Sequence, residues 1–180
     1  GSNWTVYNSS NSGLPDNRVP ALAIDGNNIW IGTGNYWGDQ GGGLAKFDGV
    51  SWIVYDTTNS GLPQNAVMSL AIDGSDKWIG TGEGGLAKFD DNNWTVYDTS
   101  NSGLPDNQVI SLAIDESNSK WIGTRGGGLA KFDGYHWIAY ETSNSGLPDN
   151  QVVSLAIDES NNKWIGTSGG GLAKFDGTNW

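Results

Sequence analysis

The sequence predicts an all-β protein assembled from copies of one antiparallel sheet, and three observations carry that expectation. A single stretch occurs four times: Val109 to Asp115 followed by Lys120 to Thr124, Val152 to Asp158 with Lys163 to Thr167, Val67 to Asp73 with Lys77 to Thr81, and more loosely Val19 to Asp25 with Ile29 to Thr33. A chain that repeats itself this way is an array of like units. The tryptophans Trp4, Trp52, Trp94, Trp137 and Trp180 stand 48, 42, 43 and 43 residues apart, so each unit runs about 43 residues and the first carries an insertion of roughly six. No segment holds helical periodicity for two turns, and turn residues separate short apolar or alternating runs.

The third unit shows each element in order. Trp94 to Asp98 alternates and is rich in β-formers, which makes it a strand. Thr99 to Asn107 is a loop punctuated by Gly103 and Pro105. Val109 to Ile114 is apolar at nearly every position, as expected of a strand covered on both faces. Asp115 to Ser119 is a polar turn, Trp121 to Thr124 a short strand, Arg125 to Gly128 a glycine loop, and Leu129 to Asp133 a further strand, with Gly134 and Tyr135 turning the chain back towards Trp137. The connections are too short for parallel crossovers, so neighbouring strands are antiparallel. A lone sheet of this kind leaves a face bare, and stacking copies around an axis covers it. A period of 40–45 residues with four strands is that of a β-propeller blade.

The pattern Asn-x-Val-x-x-Leu-Ala-Ile-Asp, then Trp-Ile-Gly-Thr, glycines and Leu-Ala-Lys-Phe-Asp, runs over residues 107–133, 150–176, 65–90 and, with the insertion, 17–48. It resembles the two-component regulator propeller repeat of sensor ectodomains and related bacterial surface proteins. The resemblance implies a blade whose innermost strand A is Val-x-Ser-Leu-Ala-Ile, with Trp-Ile-Gly-Thr as B, Leu-Ala-Lys-Phe-Asp as C and Trp-Thr-Val-Tyr as D. It also implies an extracytoplasmic or cell-surface setting. Two departures stand out: the units are more alike than is usual in that family, and there are only four. Packing agrees with the assignment. Ser69, Ala71, Ser111, Ala113, Ser154 and Ala156 put small groups on one face of strand A, near the axis, while Trp78, Trp121 and Trp164 sit one strand further out. Pro20, without an N–H, is tolerable on a free strand edge.

Composition removes whole classes of function. Glycine is abundant at 28, but ten tryptophans and six tyrosines argue for a packed core and against disorder. The net charge of −11 weighs against nucleic acid, whose phosphates it repels. With no cysteine there are no disulfides or thiolate metal sites. No apolar run approaches the ~20 residues of a membrane helix, and no signal peptide is expected. Residues 1–2 read as a tag remnant, followed by one propeller or half-propeller over 3–180, with repeats at approximately 3–50, 51–92, 93–135 and 136–180. The chain opens on a D strand (Trp4 to Tyr7) and closes on a C strand (Leu172 to Asp176). Pairing the two is expected to close the ring, within one chain as four blades or between two chains as a homodimer of eight.

The D–A and B–C loops share one face. There Asp16, Asn17, Gln64, Asn65, Asp106, Asn107, Asp149 and Asn150 form either a polar ring that holds a cation, a glycan or another small polar ligand, or a set of Asx groups that shape the turns. The insertion Asn35 to Gln40 breaks the symmetry, and Tyr36, Trp37, Asp39 and Gln40 offer the stacking and hydrogen bonding that suit a sugar. Asp25, Asp73, Asp115 and Asp158 could contribute to calcium loops but fit turns better. The glycine runs lack the following helix and lysine of a phosphate cradle. His136 has no nucleophile partner, and the acids repeat symmetrically where an active site would break symmetry, so no enzyme, cofactor or metal is expected. The expected function is a non-enzymatic propeller module, a repeat-assembly scaffold or a fragment of a bacterial sensor or ligand-binding propeller. A lectin-like propeller is the alternative and a hydrolase is further behind.

Overall fold

The computed structural model describes residues 3–35 and 41–180, and among them every regular element is a strand. Four antiparallel sheets follow one another along the chain. The first holds β1 (Ala21–Asp25), β2 (Asn28–Thr33), β3 (Gly43–Phe47) and β4 (Trp52–Tyr55). The second holds β5 (Val67–Asp73), β6 (Asp76–Thr81), β7 (Leu86–Phe89) and β8 (Trp94–Tyr97). The third holds β9 (Val109–Ile114), β10 (Lys120–Thr124), β11 (Leu129–Phe132) and β12 (Trp137–Tyr140). The last has only β13 (Val152–Ile157), β14 (Lys163–Thr167) and β15 (Leu172–Phe175). Each is a meander in sequence order, as the short connections require.

The innermost strands β1, β5, β9 and β13 pack in succession, and side chains sort by distance from that axis. Ser69 and Ser111 reach the backbone carbonyls of Val109 and Val152 on the next sheet, at 3.5 and 3.2 Å. Gly123 lies against the same carbonyl: a Cβ there would stand 2.9 Å from it and 2.6 Å from Val152 Cγ1. One strand out, the indole of Trp30 stacks on Tyr55 at 5.9 Å and meets Phe89 of the next sheet edge-on at 6.2 Å. Trp78 repeats this with Tyr97 and Phe132, and Trp121 with Tyr140 and Phe175. Leu44, Leu86 and Leu129 are fully buried at these junctions, each stabilising by roughly 1.5–3 kcal/mol relative to exposure. Lysines close the end of each junction at the A–B turns. Lys120 Nζ lies 2.7 Å from Asp73 Oδ2 and 5.0 Å from the ring of Trp78, a cation over the negative face of a π-system.

Two expectations are corrected. The segment Trp4 to Tyr7 forms no strand and pairs with none of the four sheets; Trp4 is 88% exposed. Of the two closures expected, the one within the chain is not formed, and the last sheet stays three-stranded. In the first unit strand A begins at Ala21, after Pro20, whose missing N–H cannot join the ladder. The innermost strands of the other three sheets start two residues earlier in the repeat and carry a register irregularity there, as between Val67 and Ser69.

Candidate functional site

The four loops that lead into strand A are built alike. In the second, Asp56 begins a tight turn whose carboxylate accepts from Thr58 N at 2.7 Å and Asn59 N at 3.1 Å. Ser60 Oγ donates to the Asp56 carbonyl at 2.6 Å and accepts from Leu62 N at 3.2 Å. That turn drops Leu62 into the junction between the first two sheets, where it is 3% exposed; Leu104 and Leu147 do the same at the later junctions.

The asparagines expected at the channel mouth staple this loop. Asn17, Asn65, Asn107 and Asn150 each accept, through Oδ1, from the backbone N–H of Ser9, Thr57, Thr99 and Thr142 at 2.8–2.9 Å. Their own carbonyls cross the junction: Gly43 N donates to Asn65 O at 3.0 Å, Gly85 N to Asn107 O at 2.9 Å and Gly128 N to Asn150 O at 2.9 Å. The preceding acids and amide hold the loop tips. Asp106 Oδ1 accepts from Gln108 N at 2.9 Å. Asp149 accepts from Gln151 N at 3.0 Å and, with Oδ2, from Gly169 N at 2.7 Å on the glycine loop. Gln64 Oε1 accepts from Glu83 N at 2.6 Å. Asp16 takes the N–H of Arg18 at 2.8 Å and its guanidinium at 2.6 Å. The Arg18 hydrogen bond holds the Asp16 carboxyl below its ordinary value.

These residues do share one end of the sheets with the glycine loops, in a row along an open arc. Over the third unit the row borders an open depression of about 490 Å³ lined by Thr99, Pro105, Asp106, Asn107, Gly126 and Gly127. The glycine loop keeps close order here because Gly128, at φ +81, lies under Tyr140, whose carbonyl a Cβ would meet at 2.2 Å. Tyr36, Trp37, Asp39 and Gln40 lie outside the described residues. Sequence reasoning passed over Arg18, Gln108 and Arg125. Arg125 Nη1 donates to Gln108 Oε1 at 3.3 Å. The available signal was variation on a repeated frame, since Arg125 stands where the other units have Gly34, Gly82 and Ser168.

At the opposite end, the acids that follow strand A build turns. Asp115, its side chain 3% exposed, accepts from Ser117 N, Ser119 N and the indole Nε1 of Trp121, the last at 2.9 Å. Burial works to raise its pKa, but the Trp121 and Ser119 hydrogen bonds, with the nearby Lys163 and Lys131, leave it below the usual carboxylate value. Asn162 and Trp164 hydrogen-bond Asp158 and pull it to about 2. Asp48, Asp90, Asp133 and Asp176 accept backbone N–H groups across the outer hairpins. His136 is 81% exposed beside Asp133 at 3.4 Å. Among the described residues no three His, Asp or Glu side chains converge as a metal site, and no helix is long and apolar enough to cross a membrane.

Residues 13–35 match the family model described as two component regulator propeller. No curated protein matches the chain. Among solved structures, the extracellular domain of the putative hybrid two component system BT3049 from B. thetaiotaomicron superposes with a TM-score of 0.81 at 23% identity, over 97% of this chain and 24% of that one. PorZ, a bacterial surface component of the type-IX secretion system of Porphyromonas gingivalis, gives 0.69 at 18% identity over 94% and 25%. An ancestral GH74 enzyme gives 0.67 at 20% identity over 97% and 24%. The chain spans about a quarter of the length of these structures, and the likeness shows a shared β-propeller fold. The matched segment lies in the first unit, and its pattern is restated in the units that follow.

Proposed function

We propose that this chain is a non-enzymatic propeller module, a scaffold segment of an extracytoplasmic sensor-type propeller. The extracellular setting is suggested by the BT3049 domain. The observation that carries the non-enzymatic reading is the use of the face's polar groups. Carboxylate and amide oxygens at the loop tips are held by backbone N–H groups in a pattern that recurs from unit to unit. Such groups shape turns; an acid or base needs its oxygen aimed at a reacting atom. The GH74 neighbour shows that the fold also serves enzymes, which sets the test. The chain is assayed on chromogenic glycosides and polysaccharides beside Asp106→Asn and Asp149→Asn. No turnover by any of the three is expected, and turnover that either substitution abolishes would overturn the reading.

A second reading makes the same face a glycan or small polar ligand site. The depression beside Asp106 and Asn107 favours it, together with the insertion carrying Tyr36, Trp37, Asp39 and Gln40 in the first B–C loop of the sequence. Asp16, Asn17, Gln64, Asn65, Asp149 and Asn150 would extend that surface. On a glycan array the parent is expected to retain a ligand that Trp37→Ala and Asp106→Ala lose; equal signals from all three would reject this reading.

A further inference from the structure

Each internal junction has two sides of fixed composition. One sheet presents its B-strand tryptophan, its C-strand leucine and its D-strand tyrosine. The next presents a loop leucine, the A-strand apolar residues, a B-strand isoleucine and a C-strand alanine and phenylalanine. At the first junction these are Trp30, Leu44 and Tyr55 against Leu62, Val67, Ile79, Ala87 and Phe89. The pattern returns at the second and third junctions.

The two ends of the arc carry the two sides unmatched. On the first sheet Leu14, Ile31, Ala45 and Phe47 form the receiving cluster. Leu14, Ile31 and Phe47 line an apolar recess of about 260 Å³ completed by Tyr7, Val19, Leu22, Ile29 and Trp52. On the last sheet Leu172 is 66% exposed where Leu44, Leu86 and Leu129 are fully buried, and Trp164 is 36% exposed where Trp30, Trp78 and Trp121 are at most 3%. Its glycines show the same gap. A Cβ on Gly32, Gly80 or Gly123 would meet the valine of the next sheet, and on Gly43, Gly85 or Gly128 the D-strand tyrosine carbonyl. Gly166 would meet only its own Ser154, and Gly171 nothing within 4 Å. The missing neighbours are a valine and a tyrosine, which the first unit holds as Val19 and Tyr7. Tyr7 already sits on its side of such a junction, 5.3 Å from Phe47 and 5.8 Å from Trp52, as Tyr55 sits on Phe89 and Trp94 at 5.3 and 6.0 Å.

We propose that the occupant of each bare face is a second copy of this chain: the last sheet of one copy docks on the first sheet of the other, twice, so that two copies close a ring. Trp164 stacks on the other copy's Tyr7 and points into its recess, continuing the junction already made three times inside the chain. The β11–β12 register, with Leu129 opposite Tyr140 and Lys131 opposite Ile138, sets Leu172 opposite Tyr7 and Lys174 opposite Thr5. Trp180 already stacks on Phe175 at 4.6 Å, in the place Trp137 takes on Phe132. The added strand is therefore Thr5 to Tyr7, with Trp4 left in solvent. The new junction also has its own chemistry. Ile29 stands where Lys77, Lys120 and Lys163 stand, so Asp158 would meet no lysine there. Asn162 Nδ2 already donates to both Asp158 oxygens at 3.0 and 2.9 Å. A second copy fits better than closure of one chain on itself. Across the three internal junctions the indole meets the next sheet's phenylalanine at 6.0–6.2 Å with interplanar angles of 65–73°, and joining the ends within a chain would require this shared geometry to change.

Light scattering on the intact chain tests this. The expected mass is twice the 19.1 kDa of one chain. Leu22→Asp and Leu172→Asp, both at positions exposed in the single chain, are each expected to give the single-chain mass with the parent's β-type far-UV spectrum. Mixing the two variants is expected to restore the doubled mass, because one of the two junctions in the mixed pair carries neither aspartate. A parent at single-chain mass, a mass that keeps climbing with concentration, or a doubled mass that neither aspartate disturbs would each overturn the proposal. Should a variant fail to fold, the parent's mass still separates one chain from two.

Discussion

The first two sheets and the last two solve the same corner differently. In the first pair the A–B connection is a two-residue turn: Asp25 pairs with Asn28 and Asp73 with Asp76, with Gly26 and Gly74 at φ near +59. The aspartate stays in the ladder and its carboxylate reaches the next sheet, to Lys77 at 3.5 Å and Lys120 at 2.7 Å. Among the described residues, the indole N–H groups of Trp30 and Trp78 are then left buried without a partner. In the last pair the ladder ends one residue earlier, at Ile114 and Ile157, and Asn118 and Asn161 take the left-handed position. The aspartate folds back, and its Oδ2 accepts the indole N–H at 2.9 Å in both units. One added turn residue thus brings the carboxylate back onto its own tryptophan, and in Asp115 the same oxygen keeps Lys163 of the next sheet at 3.5 Å.

The largest effect should ignore this difference. Trp78→Ala and Trp121→Ala each open a cavity at a junction and should cost roughly 3–5 kcal/mol in denaturant unfolding; a cost confined to one of them would break the equivalence of the junctions. Tryptophan to phenylalanine should separate the halves. Trp121→Phe removes the donor to a buried carboxylate and should cost about 1–3 kcal/mol more than Trp78→Phe, whose indole N–H has no partner to lose.

Acid should sharpen the contrast. The folded Asp115 carboxyl lies below its unfolded value of 3.8, so the stability it contributes is present above about pH 4 and lost as pH falls through the folded value. Melting temperatures between pH 5 and 2 should fall less steeply for Asp115→Asn than for the parent, and parallel curves would contradict the assignment. The smallest effect tests where the halves agree. Asn65→Ala and Asn107→Ala each remove one staple of the same loop and should cost about 1 kcal/mol apiece; unequal costs would show that the loops differ in a way their hydrogen bonds do not reveal.

Much of this molecule is legible in its sequence. The tryptophan spacing marks out the units, the Val-to-Asp and Trp-Ile-Gly-Thr runs become adjacent strands, and the small Ser-x-Ala face does turn towards the next sheet. The bare edge of the last sheet follows from the strand count. Less legible is the loop face. Asn107 written in a sequence fits a ligand or a staple equally well, and only the position of Thr99 N, eight residues back, shows where its oxygen is engaged. The irregularity near Val67 and the Gly85-to-Asn107 link leave no pattern to read, because each depends on how two sheets approach one another.

Strand identity and the stacking of sheets were inherent in the chain, since apolar periodicity and turn residues act over a few neighbours and recur in every unit. Whether the arc meets itself was settled in three dimensions. Closure depends on the angle between successive sheets accumulated over every junction, and that angle comes from the fit of side chains such as Trp121 between Tyr140 and Phe175, contacts that no local stretch of sequence records.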